Sequence, residues 1–335
     1  MTLSEPATHD TDERDAVDTV DPVVHEQLLA AAAARDDRRA VVTSAARRIV
    51  VFAVFVALLG LLYVAYKQLG QAIDDRQRDW PLVGSLAPRT DDLTMPPLGD
   101  IVTVFGEPAP GNDPGTFGSH LLGRSLFTLR EAAVGFAAGV AIGLGIAILL
   151  AWKKQLADAF LPYVVASQTI PLIAIAPIVV IWGRKNLDFL PFEWQDWMSV
   201  SIIATYLTFF PVAVNGLRGL LSPREEHLEL MDSYAASWRA SLWRLRLPAS
   251  VPYLFAALKI AATASIVGAI VGEISAGVEG GLGRRILGDA LNYTVAPARL
   301  YGSVIAAAIL GIAVFLVIVG AERAVLHRQR REIVT

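Results

Sequence analysis

Six apolar runs limit what this chain can fold into. They fall at about 49–66, within 121–152, and at about 160–182, 200–217, 253–271 and 303–319. A helix of about 20 apolar residues crosses the hydrocarbon core of a bilayer. Lipid offers no partner to backbone polar groups, so each run must bond its own backbone, which a helix does and a lone strand does not. The composition agrees. Of 335 residues, 54% are hydrophobic and 18% charged, and the mean hydropathy of +0.49 is too high for an ordinary soluble domain. The expected fold is an all-α membrane protein with about six transmembrane helices. An even number of crossings puts both termini on one side.

Positive charge chooses that side. With the termini inside, the inner segments hold 17 Lys and Arg against nine in the outer segments. The expected location is the cytoplasmic membrane, with several crossings and both termini cytoplasmic. Residues 1–45 read as an acidic, largely disordered cytoplasmic tail; 23–35 could form a short helix, and the polar start predicts no cleavable signal peptide. The first transmembrane helix is expected over 46–66, an extracytoplasmic loop over 67–119, the helical core over 120–326 and a cytoplasmic tail over 327–335. A net charge of −3 does not suggest nucleic acid as a partner, and the absence of cysteine excludes disulfides and thiolate chemistry.

One polar stretch interrupts the core. Residues 217–248 read LRGLLSPREEHLELMDSYAASWRASLWRLRLP, long enough for two short helices on the cytoplasmic side. Leu230, Tyr234, Trp238 and Leu242 recur every fourth residue, which predicts an apolar stripe on one helix face. Glu225, Glu226, Glu229 and Asp232 come early and Arg239, Arg244 and Arg246 late, an order that suits a helix dipole. Pro248 is expected to mark the boundary between loop and next span.

Within the spans, Gly135, Gly139 and Gly143 repeat at four-residue spacing, which lets helix backbones approach closely in lipid. The third run carries Pro162, Pro171 and Pro177, with Ser167, Gln168 and Thr169 before the middle one, so a polar kink is expected there. Gln168, Thr169, Pro171, Asn215 and Glu273 are the candidates for lining a pathway. Glu273 reads either as a solvated helix end or as a group facing that path, and Lys259 as a side chain that snorkels to the interface. The five histidines read as solvated surface groups without metal spacing. No phosphate-binding GxxxxGK[ST], HExxH or GxSxG motif appears, and no catalytic constellation or metal site is found.

The polar stretch resembles the EAA motif of ABC-importer permeases, the membrane subunits of binding-protein-dependent uptake systems. Glu229-Leu230-Met231 stands at the EAA position, Ala235 where the family has glycine, and Leu247-Pro248 at the hydrophobic-Pro ending. The runs SLFTLREAAVGFAAGVAIGLGIAILLAW, QTIPLIAIAPIVVIWG and GEISAGVEGGLG resemble the subfamily serving nitrate, sulfonates, taurine or thiamine-precursor pyrimidines. The resemblance implies the type I permease fold with a cytoplasmic coupling helix. It also implies ATP and Mg on separate ATPase subunits, no cofactor in this chain, a second permease chain and an extracytoplasmic solute-binding protein. The implied ATPase-coupling residues are Glu229, Asp232, Tyr234, Ala235, Ala236, Ser237, Trp238, Leu242, Leu247 and Pro248. Alanine resists the left-handed turn that glycine allows, so the bend is expected to persist less sharply. The alternative is a stand-alone ion-coupled carrier or channel, against which stands the lack of an Asp/Glu/His relay. A membrane-embedded enzyme is disfavoured by the lack of clustered ionisable residues.

Overall fold

The computed structural model describes residues 47, 50–72, 90–111, 113–187, 191 and 193–332, without the side chains of 154 and 327–332. The expected acidic tail over 1–45, including the short helix expected over 23–35, residues 73–89 and residues 333–335 lie outside the described residues. The chain divides into two units, 1–90 and 91–335.

In the first unit, α1 (Val50–Ala72) is one helix of 23 residues. At 1.5 Å per residue it measures about 35 Å, enough to cross the hydrocarbon core. Val51, Phe55, Leu58, Leu61 and Leu62 are all exposed within the chain. Apolar side chains exposed in this way are suited to lipid or to another chain.

The second unit contains, in chain order, α2 (Leu98–Thr103), α3 (Phe117–Trp152), α4 (Lys154–Ser167), α5 (Leu172–Asn186), α6 (Asp196–Leu220), α7 (Glu225–Ser233), α8 (Trp238–Ser241), α9 (Leu247–Ala276), α10 (Leu282–Leu291) and α11 (Pro297–Glu332). A π-helical turn, Leu242–Arg246, joins α8 to α9 without a break. An isolated antiparallel bridge between Pro108 and Thr116 precedes α3, and Thr116 and Ser119 close a reciprocal capping box at its start.

Close backbone contact builds the bundle. A Cβ on Gly139 would lie 2.5 Å from the Thr208 Cβ, and one on Gly143 would lie 2.5 Å from the Phe209 carbonyl oxygen. Gly135 faces Ala204 and Ser201 in the same way, and Gly216 faces Ala147. The spacing of four keeps these glycines on one face of α3, so its backbone lies directly on α6. Numbers rise together along the contact, so α3 and α6 run parallel. On its other side α6 meets α9 in the opposite sense, with Gly219 against Ser250 and Gly272 against Val200. Lys259 of α9 reaches both carboxylate oxygens of Glu322 in α11 at 3.0 Å. That lysine, expected to snorkel, ties two helices together, and a paired charge is cheaper to keep near lipid than a lone one.

The third expected span is not one helix. α4 and α5 meet at 91°. The turn occupies 168–171, where Pro171 is extended and serves as the N-cap of α5. Proline biases the residue before it away from helix, which stops α4 here. The freed carbonyl of Ser167 accepts from the Tyr206 hydroxyl of α6. The Ser167 and Thr169 hydroxyls fold back on the carbonyls of Val164 and Ala166. Pro162 and Pro177 sit inside α4 and α5 without ending them. Because α3 and α6 are parallel, this bent pair must carry the chain back across the bundle. It is therefore the sixth crossing beside the five long apolar helices found among the described residues.

Gly139→Leu is expected to lower stability in detergent by about 2 kcal/mol, through overpacking against Thr208. Gly145→Ala, which meets no atom within 4 Å, is expected to change stability by less than about 1 kcal/mol, in the favourable direction. Unfolding of both variants in mixed micelles checks the pair.

Candidate functional site

The polar loop closes one end of the bundle and is built from two short helices at an angle. α7 starts after Pro223, with Glu225 and Glu226 in its first turn, where acids complement the unpaired N–H groups. It ends in a Schellman motif: Ala235 N–H donates to the Asp232 carbonyl at 2.8 Å and Ala236 N–H to the Met231 carbonyl at 3.0 Å. That motif needs a left-handed residue, and Ala235 supplies it with φ of 50°, the one non-glycine positive φ among the described residues. A Cβ there costs roughly 1–2 kcal/mol relative to glycine. The bend forms in spite of the alanine. The Ser237 hydroxyl then accepts from Ala240 N–H and caps α8.

The bend divides the expected apolar stripe. Leu230 and Tyr234 belong to α7 and its end, Trp238 and Leu242 to the next helix, so the four do not share one helix face. Tyr234 is 77% exposed and Leu230 54%. Leu242 is 6% exposed and buried with Ala147, Leu150, Leu217 and Leu220, and Trp238 and Leu247 pack partly buried against that cluster. The Trp238 ring also meets the Trp152 ring, centroids 6.3 Å apart. Trp238 and Leu242 thus root the loop in the ends of α3 and α6, while Tyr234 and Leu230 face outward. Glu229 and Asp232 are exposed beside them.

The expected boundary at Pro248 is a change of helical register, not a break. Helix continues from Trp238 through the π turn into α9, with Leu247 N–H donating to the Leu242 carbonyl five residues back. Pro248 lies at the start of α9, where a residue that cannot donate is tolerated because the ladder has just changed register. Arg246 donates from one terminal nitrogen to the Leu220 carbonyl at 3.0 Å and so caps the end of α6. Beside these contacts lies a cavity of about 1060 Å³, lined by Leu150, Trp152, Leu161, Leu217, Arg218 and Arg246 among others.

The pathway candidates are not gathered in one place. Gln168, Thr169 and Pro171 form the α4–α5 turn. Asn215 donates to the Pro211 carbonyl within α6, which satisfies an acceptor inside its own helix. Glu273 stands at the end of the bundle remote from α7. It is not a solvated helix end: it is fully buried and accepts from the Thr128 hydroxyl at 2.7 Å. Sequence reasoning passed over Glu131, which is also fully buried; a carboxyl inside an apolar run was the available signal. His120, read as solvated, lies in the first turns of α3, with its ring 3.0 Å from Asp113 and its side chain 9% exposed.

Ala235→Gly is expected to stabilise the bend by about 1 kcal/mol, seen as slower hydrogen exchange at the Ala236 amide. Ala235→Val is expected to have the opposite effect.

Residues 139–331, more than half of the chain, match the family described as binding-protein-dependent transport system inner membrane component. Over 158 residues the chain is 35% identical to the formylaminopyrimidine transport permease protein ThiX of Halalkalibacterium halodurans, covering 45% of this chain and 59% of ThiX. It is 30% identical over 154 residues to the riboflavin transport system permease protein RibX of Chloroflexus aurantiacus, covering 46% and 54%. It is 25% identical over 158 residues to the nitrate import permease protein NrtB of Synechocystis sp., covering 47% and 54%. The chain thus spans a little over half the length of these relatives. By the match over its helical core, the chain belongs to the family of binding-protein-dependent transport inner membrane components, and its all-α, multi-pass architecture is that of the type I ABC-importer permeases.

Proposed function

We propose that this chain is the membrane-spanning subunit of an ATP-driven importer that carries a small solute inward across the cytoplasmic membrane. ATP and Mg are held by separate ATPase subunits, which grip the α7 end of the bundle. A second permease chain, the same or related, completes the pathway, and an extracytoplasmic solute-binding protein delivers the solute to the opposite end. Both termini and the 217–248 loop lie in the cytoplasm, a reading that the excess of Lys and Arg on that side supports.

One observation carries the reading: the polar loop exposes Tyr234 and Leu230 while the residues that follow are packed into the bundle. An exposed aromatic beside an exposed aliphatic is the kind of anchor that dominates a protein interface. Trp238 and Leu242 act on the permease side. They pass a rigid-body movement of the anchor to the ends of α3 and α6, and the unbroken helix from Trp238 passes it into α9. Glu229 and Asp232, exposed next to the anchor, suit a basic rim on the ATPase.

The solute belongs to the sulfonate, taurine, nitrate or pyrimidine/thiamine-precursor class. The relatives are named for formylaminopyrimidine, riboflavin and nitrate, which share little chemistry, so the class stays broad.

Leu230→Asp combined with Tyr234→Asp is expected to reduce copurification of the ATPase by about tenfold or more, with membrane insertion and thermal stability unchanged. Trp238→Ala, by contrast, is expected to cost the bundle about 3 kcal/mol. ATPase recovery at the wild-type level from the Leu230/Tyr234 double variant would refute the anchor.

A further inference from the structure

The end of the bundle remote from α7 holds two fully buried acids. Glu131 of α3 and Glu273 of α9 are both 0% exposed. Glu273 has defined partners: the Thr128 hydroxyl donates to one oxygen at 2.7 Å and Gly283 N–H to the other at 2.5 Å. The same Thr128 oxygen accepts from Leu282 N–H at 2.8 Å. Leu282 and Gly283 open α10, whose own N-cap is Gly281 and has no side chain to offer. Two neighbouring helices therefore supply the cap that α10 lacks.

Glycines make room for this contact. A Cβ at Gly281 would fall on the Glu273 carboxyl group, and one at Gly283 on the Ile270 carbonyl and the Glu273 side chain. The far end of α10 is fixed separately, by Asp289, which pairs with Arg285 and accepts from the Ser303 hydroxyl of α11 at 2.5 Å.

Glu131 has no such set of donors. No N–H or O–H among the described residues reaches either of its oxygens; it follows Thr128, the donor to Glu273, by three residues on the same face of α3, which makes the two buried carboxyl groups neighbours. Two neighbouring carboxylates away from water repel each other. One proton between them turns that repulsion into a hydrogen bond.

We propose that Glu131 is a positioning residue: through one shared proton it orients the Glu273 carboxyl group, and Glu273 with Thr128 holds the start of α10 against α3 and α9. The two acids act as a latch on the helix that closes the end where a solute-binding protein docks. Only that last role depends on the importer reading. Glu131 acts as a donor, so an amide can replace it and an alkyl group cannot.

The test is hydrogen exchange of the full-length chain in nanodiscs, read on peptides covering 279–291. Glu131→Gln is expected to keep wild-type protection at Leu282 and Gly283 within about twofold, whereas Glu131→Leu raises exchange there by about tenfold or more. Thr128→Val leaves both acids in place and is expected to raise exchange at Leu282. Equal exchange in Glu131→Gln and Glu131→Leu, or no change with Thr128→Val, would overturn the latch. In the assembled transporter, stimulation of ATP hydrolysis by the solute-loaded binding protein should survive Glu131→Gln and fall with Glu131→Leu. If wild type shows no such stimulation while its exchange pattern holds, the importer reading fails and the latch stands.

Discussion

The bundle depends on the backbone contact between α3 and α6. Between lipid-facing helices there is little hydrophobic driving force, since lipid tails are as apolar as leucine. Association must come from close packing and from polar contacts that lipid cannot replace. Gly135, Gly139 and Gly143 provide the first by leaving no side chain at three successive turns of one face of α3. Lys259 with Glu322 and Thr128 with Glu273 provide the second. The parallel sense of α3 and α6 then dictates the rest. The chain has to return between them, and the bent α4–α5 pair is that return.

The two ends of this framework use similar devices. At one end, α7 hangs on a Schellman turn and is followed by a helix rooted through Trp238 and Leu242. At the other, α10 is held by side chains from α3 and α9. In both places a short helix is set by groups outside itself, and the long helices α3 and α9 run between the two. A displacement at one short helix therefore has a stiff route toward the other, which is what the proposed importer needs.

Much of this was legible in the sequence. Apolar run length announced the helices, because the bilayer sets a minimum that few soluble segments meet. The glycine repeat announced a close-packed face on α3, and Pro171 announced a kink. What remained hidden was angular or tertiary. A proline says that a helix is disturbed, not that the next one leaves at 91°. A four-residue apolar spacing says nothing about a turn inserted midway, so the stripe from Leu230 to Leu242 read as continuous. Ala235 in the left-handed region was a doubt raised by the motif and settled by the two backbone hydrogen bonds that hold it. The burial of Glu131 and Glu273 could not be read locally, because their surroundings come from α3, α9 and α10, distant in sequence.

The central claim is that the loop bearing Tyr234 faces the cytoplasm and is gripped there. The natural chain has no cysteine, so Tyr234→Cys gives a single reporter for a membrane-impermeant maleimide. The account predicts no labelling in intact cells, labelling in inverted vesicles stripped of peripheral subunits, and protection when the ATPase is bound. Labelling of intact cells from outside would contradict it.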